Sequence, residues 1–89
     1  MSTDRTATPG VLAQELDGET ILLDSTSGTY FRLNSSGTRV WEALAAGRSS
    51  EEAVTAIVEE SGADPAAVRA DVTALLETLE ARGLVSAAA

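Results

Sequence analysis

Residues 22–34 of the chain read LLDSTSGTYFRLN, and this stretch decides the fold. An apolar run from Thr20 to Leu23 predicts one short strand. Thr29 to Leu33 predicts a second, because β-branched and aromatic side chains suit a pleated sheet. The small residues between the two runs end in Gly28 and favour a tight turn. The stretch therefore predicts a β-hairpin that runs directly into a helix start at Asn34.

A further strand is predicted before this hairpin. Residues 11–16 (VLAQEL) form a weak strand pattern, and Asp17-Gly18 is a dipeptide that accepts positive φ at a hairpin turn. The three strands together predict an antiparallel meander. Residues 1–10 are polar and lack periodicity, so they are expected to form a disordered N-terminal tail.

The third predicted strand divides its side chains between two faces of the sheet. Period-two alternation places Thr29, Phe31 and Leu33 on one face, which is expected to meet the core, and Tyr30 and Arg32 on the other. This strand also lies at one edge of the meander, where backbone groups lack a partner. Such an edge can accept an extended peptide as an additional strand.

Helix start and stop signals occur three times after the sheet. They predict helices over about residues 35–46, 50–61 and 65–82. The signals are a cap at Asn34 or Ser35 before Gly47, a capping box of Ser49 and Glu52 before Gly62, and Asp64-Pro65 before Gly83.

The third helix carries a broad apolar stripe, wide enough to meet both other helices and one edge of the sheet. The stripe consists of Val68, Val72, Leu75, Leu76 and Leu79. After it, Leu84 and Val85 are expected to pack on the core, and residues 86–89 to fray. The predicted fold is a single α+β domain over residues 11–85. It is a three-stranded antiparallel β-meander followed by three α-helices, winged helix-turn-helix-like with its sheet placed first.

Composition limits the classes of function open to this chain. A net charge of -8 repels phosphate backbones and anionic lipids, so neither nucleic acid nor a membrane is an expected partner. The sequence has no apolar run of about 18 residues and no secretory signal, which favours the cytoplasm. Without His, Cys or Lys it has no imidazole base, thiolate or Schiff-base amine. We therefore expect no enzyme activity, cofactor or metal.

Ser25 leaves one different class of function open. Small acidic carrier proteins attach phosphopantetheine to a serine that follows an aspartate, and Asp24-Ser25 has that order. The carrier motif resembles Asp-Ser-Leu at a helix start, whereas Ser25 occupies a predicted strand turn and precedes Thr26. A turn serine bonded to nearby backbone is the favoured interpretation. A sheet edge without any ligand, with Tyr30 as an ordinary sheet residue, is the remaining alternative to peptide binding.

A longer pattern resembles a known family. The pattern Gly28-x-Tyr30-Phe31-x-Leu33-Asn34, followed by Gly37-x-x-x-Trp41-x-x-Leu44, is similar to the PqqD-like proteins. These are the precursor-peptide recognition elements of ribosomal peptide natural-product pathways. The pattern looks most like the stand-alone B1 recognition proteins of lasso-peptide clusters, and the resemblance covers about residues 11–85.

The resemblance implies a non-catalytic domain that captures the leader segment of a precursor peptide. The leader would become a strand antiparallel to the third strand and would lie against the third helix. Implied binding residues are Thr29, Tyr30, Phe31, Arg32 and Leu33 on the strand, with Val68, Asp71, Val72, Leu75, Leu76 and Leu79 on the helix. Arg32 and Asp71 are the candidates for polar selection.

The same resemblance implies partner enzymes. The leader would be delivered to a leader-removing cysteine protease (B2-like), with the lasso cyclase as a further candidate partner. A PqqD-type peptide chaperone that serves a different modification pathway is the alternative within the family.

Overall fold

Eight elements follow one another along the part of the chain that the structure, a computed structural model, describes, residues 5–87. They are β1 (Arg5–Ala7), β2 (Val11–Leu16), β3 (Glu19–Asp24), β4 (Tyr30–Leu33), α1 (Ser35–Ala45), α2 (Ser50–Ser61), α3 (Pro65–Ala81) and β5 (Val85–Ala87). The predicted α+β order of a sheet followed by three helices is confirmed.

The main sheet is the predicted antiparallel meander, in the order β2-β3-β4. Its first turn uses Asp17 and Gly18, both at positive φ, as a tight hairpin requires. The third strand begins at Tyr30, one residue later than predicted. Thr29 is exposed and donates its amide to Oγ of Ser27 at 3.2 Å, so it completes the turn and does not face the core.

The chain ends differ from the expectation of frayed tails. Arg5–Ala7 pairs antiparallel with Val85–Ala87 in a second, two-stranded sheet. Thr8 extends this contact by donating its amide to the carbonyl of Leu84 at 3.0 Å. Two such short strands give no local signal, because each depends on a partner at the opposite end of the chain. Residues 1–4 and 88–89 of the expected tails lie outside the described residues.

The helices begin at the predicted caps. The side chain of Asn34 caps α1, Ser49 and Glu52 form a complete capping box on α2, and Asp64 caps α3 with Pro65 at the first position. Capping side chains satisfy amides that would otherwise lack a partner. Within residues 5–87, no helix combines the length and apolar character that crossing a bilayer requires.

One apolar core joins the inner face of the meander to the three helices. Its most deeply buried side chains come from β3, β4, α1, α3 and the segment after α3: Leu22, Leu33, Val40, Leu79 and Leu84. The predicted return of Leu84 and Val85 to the core is confirmed. A buried hydrogen bond of 2.8 Å between the hydroxyls of Thr20 and Thr38 ties β3 to α1. The core therefore fixes α1 and α3 relative to β4.

Candidate peptide-binding groove

One edge of β4 is open in the described chain. The strand pairs with β3 on one side, in the register Leu23↔Tyr30 to Thr20↔Leu33, and is last in the sheet order. The amide of Asp24 donates to the carbonyl of Thr29 at 2.8 Å, which makes those two residues a hydrogen-bonded pair. Bonded and non-bonded pairs alternate in antiparallel sheets. Tyr30 and Arg32 therefore direct their amides and carbonyls toward the open edge.

An apolar groove lies between this edge and α3. Its first part is a cavity of about 250 Å³ between the start of α1 and α3. Its second part, about 300 Å³, lies along β4. Asn34, Gly37 and Leu75 line both parts, so the two cavities adjoin.

Asn34 and Gly37 shape the junction between the two parts of the groove. The amide of Gly37 donates to Oδ1 of Asn34 at 2.9 Å, which holds the asparagine side chain in its capping position. Gly37 is buried, and its lack of a side chain lets the first turn of α1 approach Leu33 closely. The floor of the groove at this point is therefore backbone.

Four of the predicted residues on α3 meet in the first cavity. Val68, Val72 and Leu75 provide apolar walls, and Asp71 provides a carboxylate at the exposed rim. A cavity with an apolar interior and few polar groups is the usual form of a site for a large side chain.

Two other predicted residues of α3 do not reach the groove. Leu76 and Leu79 are 3% and 0% exposed, and neither lines either cavity. They pack in the core behind the groove and support α3. The predicted apolar stripe of α3 is therefore divided between two faces of the helix. Leu75 faces the groove and Leu76 faces the core.

Phe31 and Leu33 also line the second cavity, from the inner side of β4. Leu33 is buried, whereas Phe31 is partly buried and packs at the margin of the core. These two residues confirm the predicted alternation within the strand. They give the open edge an apolar inner wall.

Arg32 and Tyr30 lie on the outer face of the sheet, as predicted. Nη2 and Nε of Arg32 both donate to Oε1 of Glu19, at 2.9 and 3.2 Å. Tyr30 is 71% exposed. Because a strand added at the edge alternates its own side chains, those on its outer face would lie beside Tyr30 and Arg32.

The same outer face carries further exposed apolar residues. The register aligns Leu12, Leu23 and Tyr30 across the three strands in one row. The large apolar side chains exposed on this face are Leu12, Leu16, Ile21, Leu23 and Tyr30. This apolar face is on the opposite side of the sheet from the helices. Arg32 lines both a cavity on this face and, with Glu19, the second cavity of the groove, so the two surfaces adjoin there.

An ion pair holds α3 to α2 beside the first cavity. Nε and Nη2 of Arg69 donate to the two carboxylate oxygens of Glu51 at 2.9 and 2.8 Å. This bidentate contact raises the pKa of the Arg69 guanidinium above its ordinary value. Both side chains are more than half exposed, so the pair orients the helices more than it stabilises them.

Ser25 and the acidic side chains are the residues on which the carrier-protein and metal-site alternatives depend. Ser25 lies in the turn between β3 and β4, where its hydroxyl donates to the carbonyl of Gly10 at 2.7 Å. This contact is the one expected of a turn serine, and Ser25 does not lie at a helix start, where the carrier motif has its serine. Among the residues described, no cluster of three or more acidic side chains is arranged to hold a metal ion.

Sequence reasoning missed several residues of the groove. Asn34, Ser36, Gly37, Val40 and Ile57 all line the first cavity. Asn34 and Gly37 were identified as a helix cap and as part of a family pattern. Their second role depends on where α1 meets β4, and no local pattern carries that information.

The fold is that of a winged helix-turn-helix-like domain in which an open sheet edge adjoins a groove. The protein belongs to the PqqD family, because the model of the family described as Coenzyme PQQ synthesis protein D matches residues 19–85. A comparison with curated protein sequences finds no match.

Two solved structures share this fold. The structure described as TbiB1 in complex with the TbiA(beta) leader peptide is 33% identical in sequence with a TM-score of 0.87, covering 94% of this chain and 98% of that one. Lasso peptide synthetase B1 complexed with the leader peptide is 23% identical with a TM-score of 0.85, covering 94% of this chain and 99% of that one. The second similarity speaks for the fold alone.

Proposed function

We propose that this protein is a non-catalytic module that captures the leader segment of a ribosomally made precursor peptide, of the lasso class. The observation that carries the proposal is the open edge of β4 beside an apolar groove. The 33% identity to TbiB1, a protein solved in complex with a leader peptide, supports this ligand class.

The leader binds as an additional strand on β4. The outward amides and carbonyls of Tyr30 and Arg32 hold its backbone, and Thr29 and Leu33 flank that contact. Antiparallel pairing is favoured because it is slightly more stable per residue and continues the pattern of the sheet. Backbone hydrogen bonds of this kind supply affinity that depends little on the leader sequence.

Side-chain selection comes from the groove. Inward-facing leader side chains enter the two cavities, against Val68, Val72 and Leu75 in the first and Phe31 in the second. The first cavity suits one large apolar or aromatic side chain, whose polar atom meets Asp71 at the rim. Leu76 and Leu79 contribute indirectly, because they fix α3 from the core side.

The captured leader is then passed to enzymes in the cytoplasm, where precursors of this kind are made. A leader-removing cysteine protease is the proposed first partner, and the lasso cyclase is the second. The chain needs such partners because its sequence holds no cysteine, histidine or lysine with which to cleave or join a peptide.

Fluorescence anisotropy with labelled leader peptides of lasso precursors tests the proposal, beginning with the TbiA(beta) leader with which the similar TbiB1 was solved. We expect saturable binding of the leader, and no saturation with a scrambled leader of the same composition. Absence of saturable binding by a protein shown to be folded by circular dichroism would overturn it.

A PqqD-type chaperone for another pathway is the second candidate, and the family match favours it. The groove would hold a peptide in the same way, but the precursor would differ. Competition separates the two: a lasso leader displaces the labelled probe under the first proposal, whereas the quinone-cofactor precursor displaces it under the second.

A further inference from the structure

The groove has a cation at the end where β4 begins. Arg82, the C-terminal cap of α3, holds its guanidinium carbon 5.1 Å from the centre of the Phe31 ring. Phe31 lines the second cavity, so the ring connects the arginine to the groove. Arg82 is itself exposed. The guanidinium is therefore placed beside the proposed peptide path and remains open to solvent.

Arg82 differs from most arginines of this chain in its electrostatic surroundings. Four arginines pair with glutamate: Arg5, Arg32, Arg39 and Arg69. Within residues 5–87, no carboxylate lies at ion-pair distance from Arg82. The same holds for Arg48, but Arg48 follows α1 and lies beside Glu52 and Ala56 of α2, away from Phe31 and the groove. Arg82 is thus the cation beside the groove that no carboxylate of residues 5–87 compensates.

The aromatic contact leaves the guanidinium able to bind a carboxylate. An arginine held over a ring face keeps its in-plane N–H donors for other partners, and those donors match the geometry of a carboxylate. The ring also restricts the side chain before binding, which lowers the entropy lost when a partner arrives. The chain has a net charge of -8, so the positive charge of Arg82 locally opposes the negative potential of the whole protein.

Asp71 gives the groove a charge of opposite sign at its other end. Asp71 on α3 and Arg82, the C-terminal cap of that helix, are eleven positions apart, which is about three helical turns. The two side chains therefore leave the helix on nearly the same side, about 16 Å apart along its axis. An extended strand covers that length in about five residues.

We propose that Arg82 is a specificity-determining residue that binds an aspartate or glutamate side chain in the C-terminal half of the captured leader. This inference rests on the proposed function and on antiparallel pairing. A strand antiparallel to β4 enters near Leu33 and the first cavity and leaves near Phe31. Both leader side chains must face α3, and the side chains of a strand alternate between its two faces, so the acidic residue falls about four or six positions after the leader residue that meets Asp71.

A charge scan of the labelled leader tests this inference. Each position of the peptide is replaced in turn by Glu and by Gln, and the dissociation constant of every peptide is measured by anisotropy. With the unmodified protein, we expect one region of the C-terminal half in which Glu binds about three- to fivefold more tightly than Gln, within the range of an exposed ion pair. The advantage should shrink at high salt, because exposed charges are screened.

Protein variants assign the effect to the arginine. Arg82→Gln should remove the preference for Glu and leave binding of the Gln peptides within about twofold, whereas Arg82→Lys should keep part of the preference. Arg48→Gln is the matched control, since it removes the same charge away from the groove and should change nothing. Thermal melts monitored by circular dichroism verify that each variant is folded.

The outcomes separate this inference from the proposed function. If the unmodified leader binds but no position prefers Glu, or if Arg82→Gln keeps the preference, the role of Arg82 is overturned and leader capture stands. If the unmodified leader does not bind at all, both proposals are overturned.

Discussion

Leu75 and Leu76 are consecutive residues of α3 that face different environments. Leu75 is partly buried and lines both cavities of the groove, whereas Leu76 is 3% exposed and belongs to the core. In the sequence both leucines belong to one apolar stripe. In the structure, Leu75 contributes to the candidate binding surface and Leu76 to the stability of the domain.

Replacing each of these two leucines by alanine should affect different properties, mainly leader affinity for Leu75 and mainly stability for Leu76. Leu75→Ala removes groove surface, so we expect weaker leader binding by about tenfold with a loss of about 1 kcal/mol in unfolding free energy. Leu76→Ala opens a core cavity and should cost about 2–5 kcal/mol, with little change in affinity while the protein is folded. Urea titration and anisotropy measure the two quantities. Equal losses of affinity in both variants would contradict the assignment of the groove.

Proline substitutions test the direction of the backbone groups in β4. Tyr30→Pro removes an amide that points to the open edge, at the first residue of the strand, where proline is tolerated. We expect the domain to stay folded and leader binding to weaken by about fivefold, consistent with the loss of one hydrogen bond of about 1 kcal/mol. Phe31→Pro removes an amide that faces β3 and should destabilise the fold. Circular dichroism and anisotropy distinguish the two results, and unchanged binding by Tyr30→Pro would exclude edge pairing at this residue.

Gly37 is the position where a single methyl group should disturb the groove. A Cβ at this residue would lie 3.2 Å from Cβ and Cδ2 of Leu33, so α1 and β4 must move apart by a few tenths of an ångström. The gain in helix propensity, about 1 kcal/mol, offsets much of the strain. We therefore expect Gly37→Ala to lower leader affinity by more than it lowers stability. Ser35→Ala, in the same helical turn and exposed, is the control and should leave both unchanged.

Arg32→Glu tests polar selection at the outer face of β4. The substitution replaces an ion pair with Glu19 by a repulsion, but both side chains are largely exposed, so stability should fall by less than about 1 kcal/mol. Leader affinity should fall by about threefold or more if Arg32 contacts an outward leader side chain. Glu19→Gln breaks the same ion pair with a side chain of nearly the same size and leaves Arg32 in place, which makes it the matched control. Unchanged binding by a folded Arg32→Glu variant would remove Arg32 from the site.

Local signals account for what the sequence predicted well. Asp17-Gly18, the capping box that starts at Ser49, and Asp64-Pro65 each determine the chain within a few residues, so the meander and all three helices were predictable. The edge position of β4 followed from strand order. The family pattern around Tyr30 then led to the proposal of a leader peptide as the ligand of that edge.

Contacts between distant segments account for what the sequence could not predict. Which of Leu75 and Leu76 faces the groove depends on the rotation of α3 over the sheet. The position of Arg82 on Phe31 depends on where α3 ends beside β4. The pairing of Arg5–Ala7 with Val85–Ala87 joins two segments that carry no strand pattern of their own.

That terminal pairing has a consequence for the order of folding. The hairpins of the meander and the helix pairs form between neighbouring segments, whereas Arg5–Ala7 must meet a partner about 80 residues away. Closing so long a loop costs more entropy than closing a hairpin, and three residues a side return few hydrogen bonds. The two-stranded sheet should therefore form last and open first. In hydrogen exchange, its amides should lose protection while those of β3 are still protected.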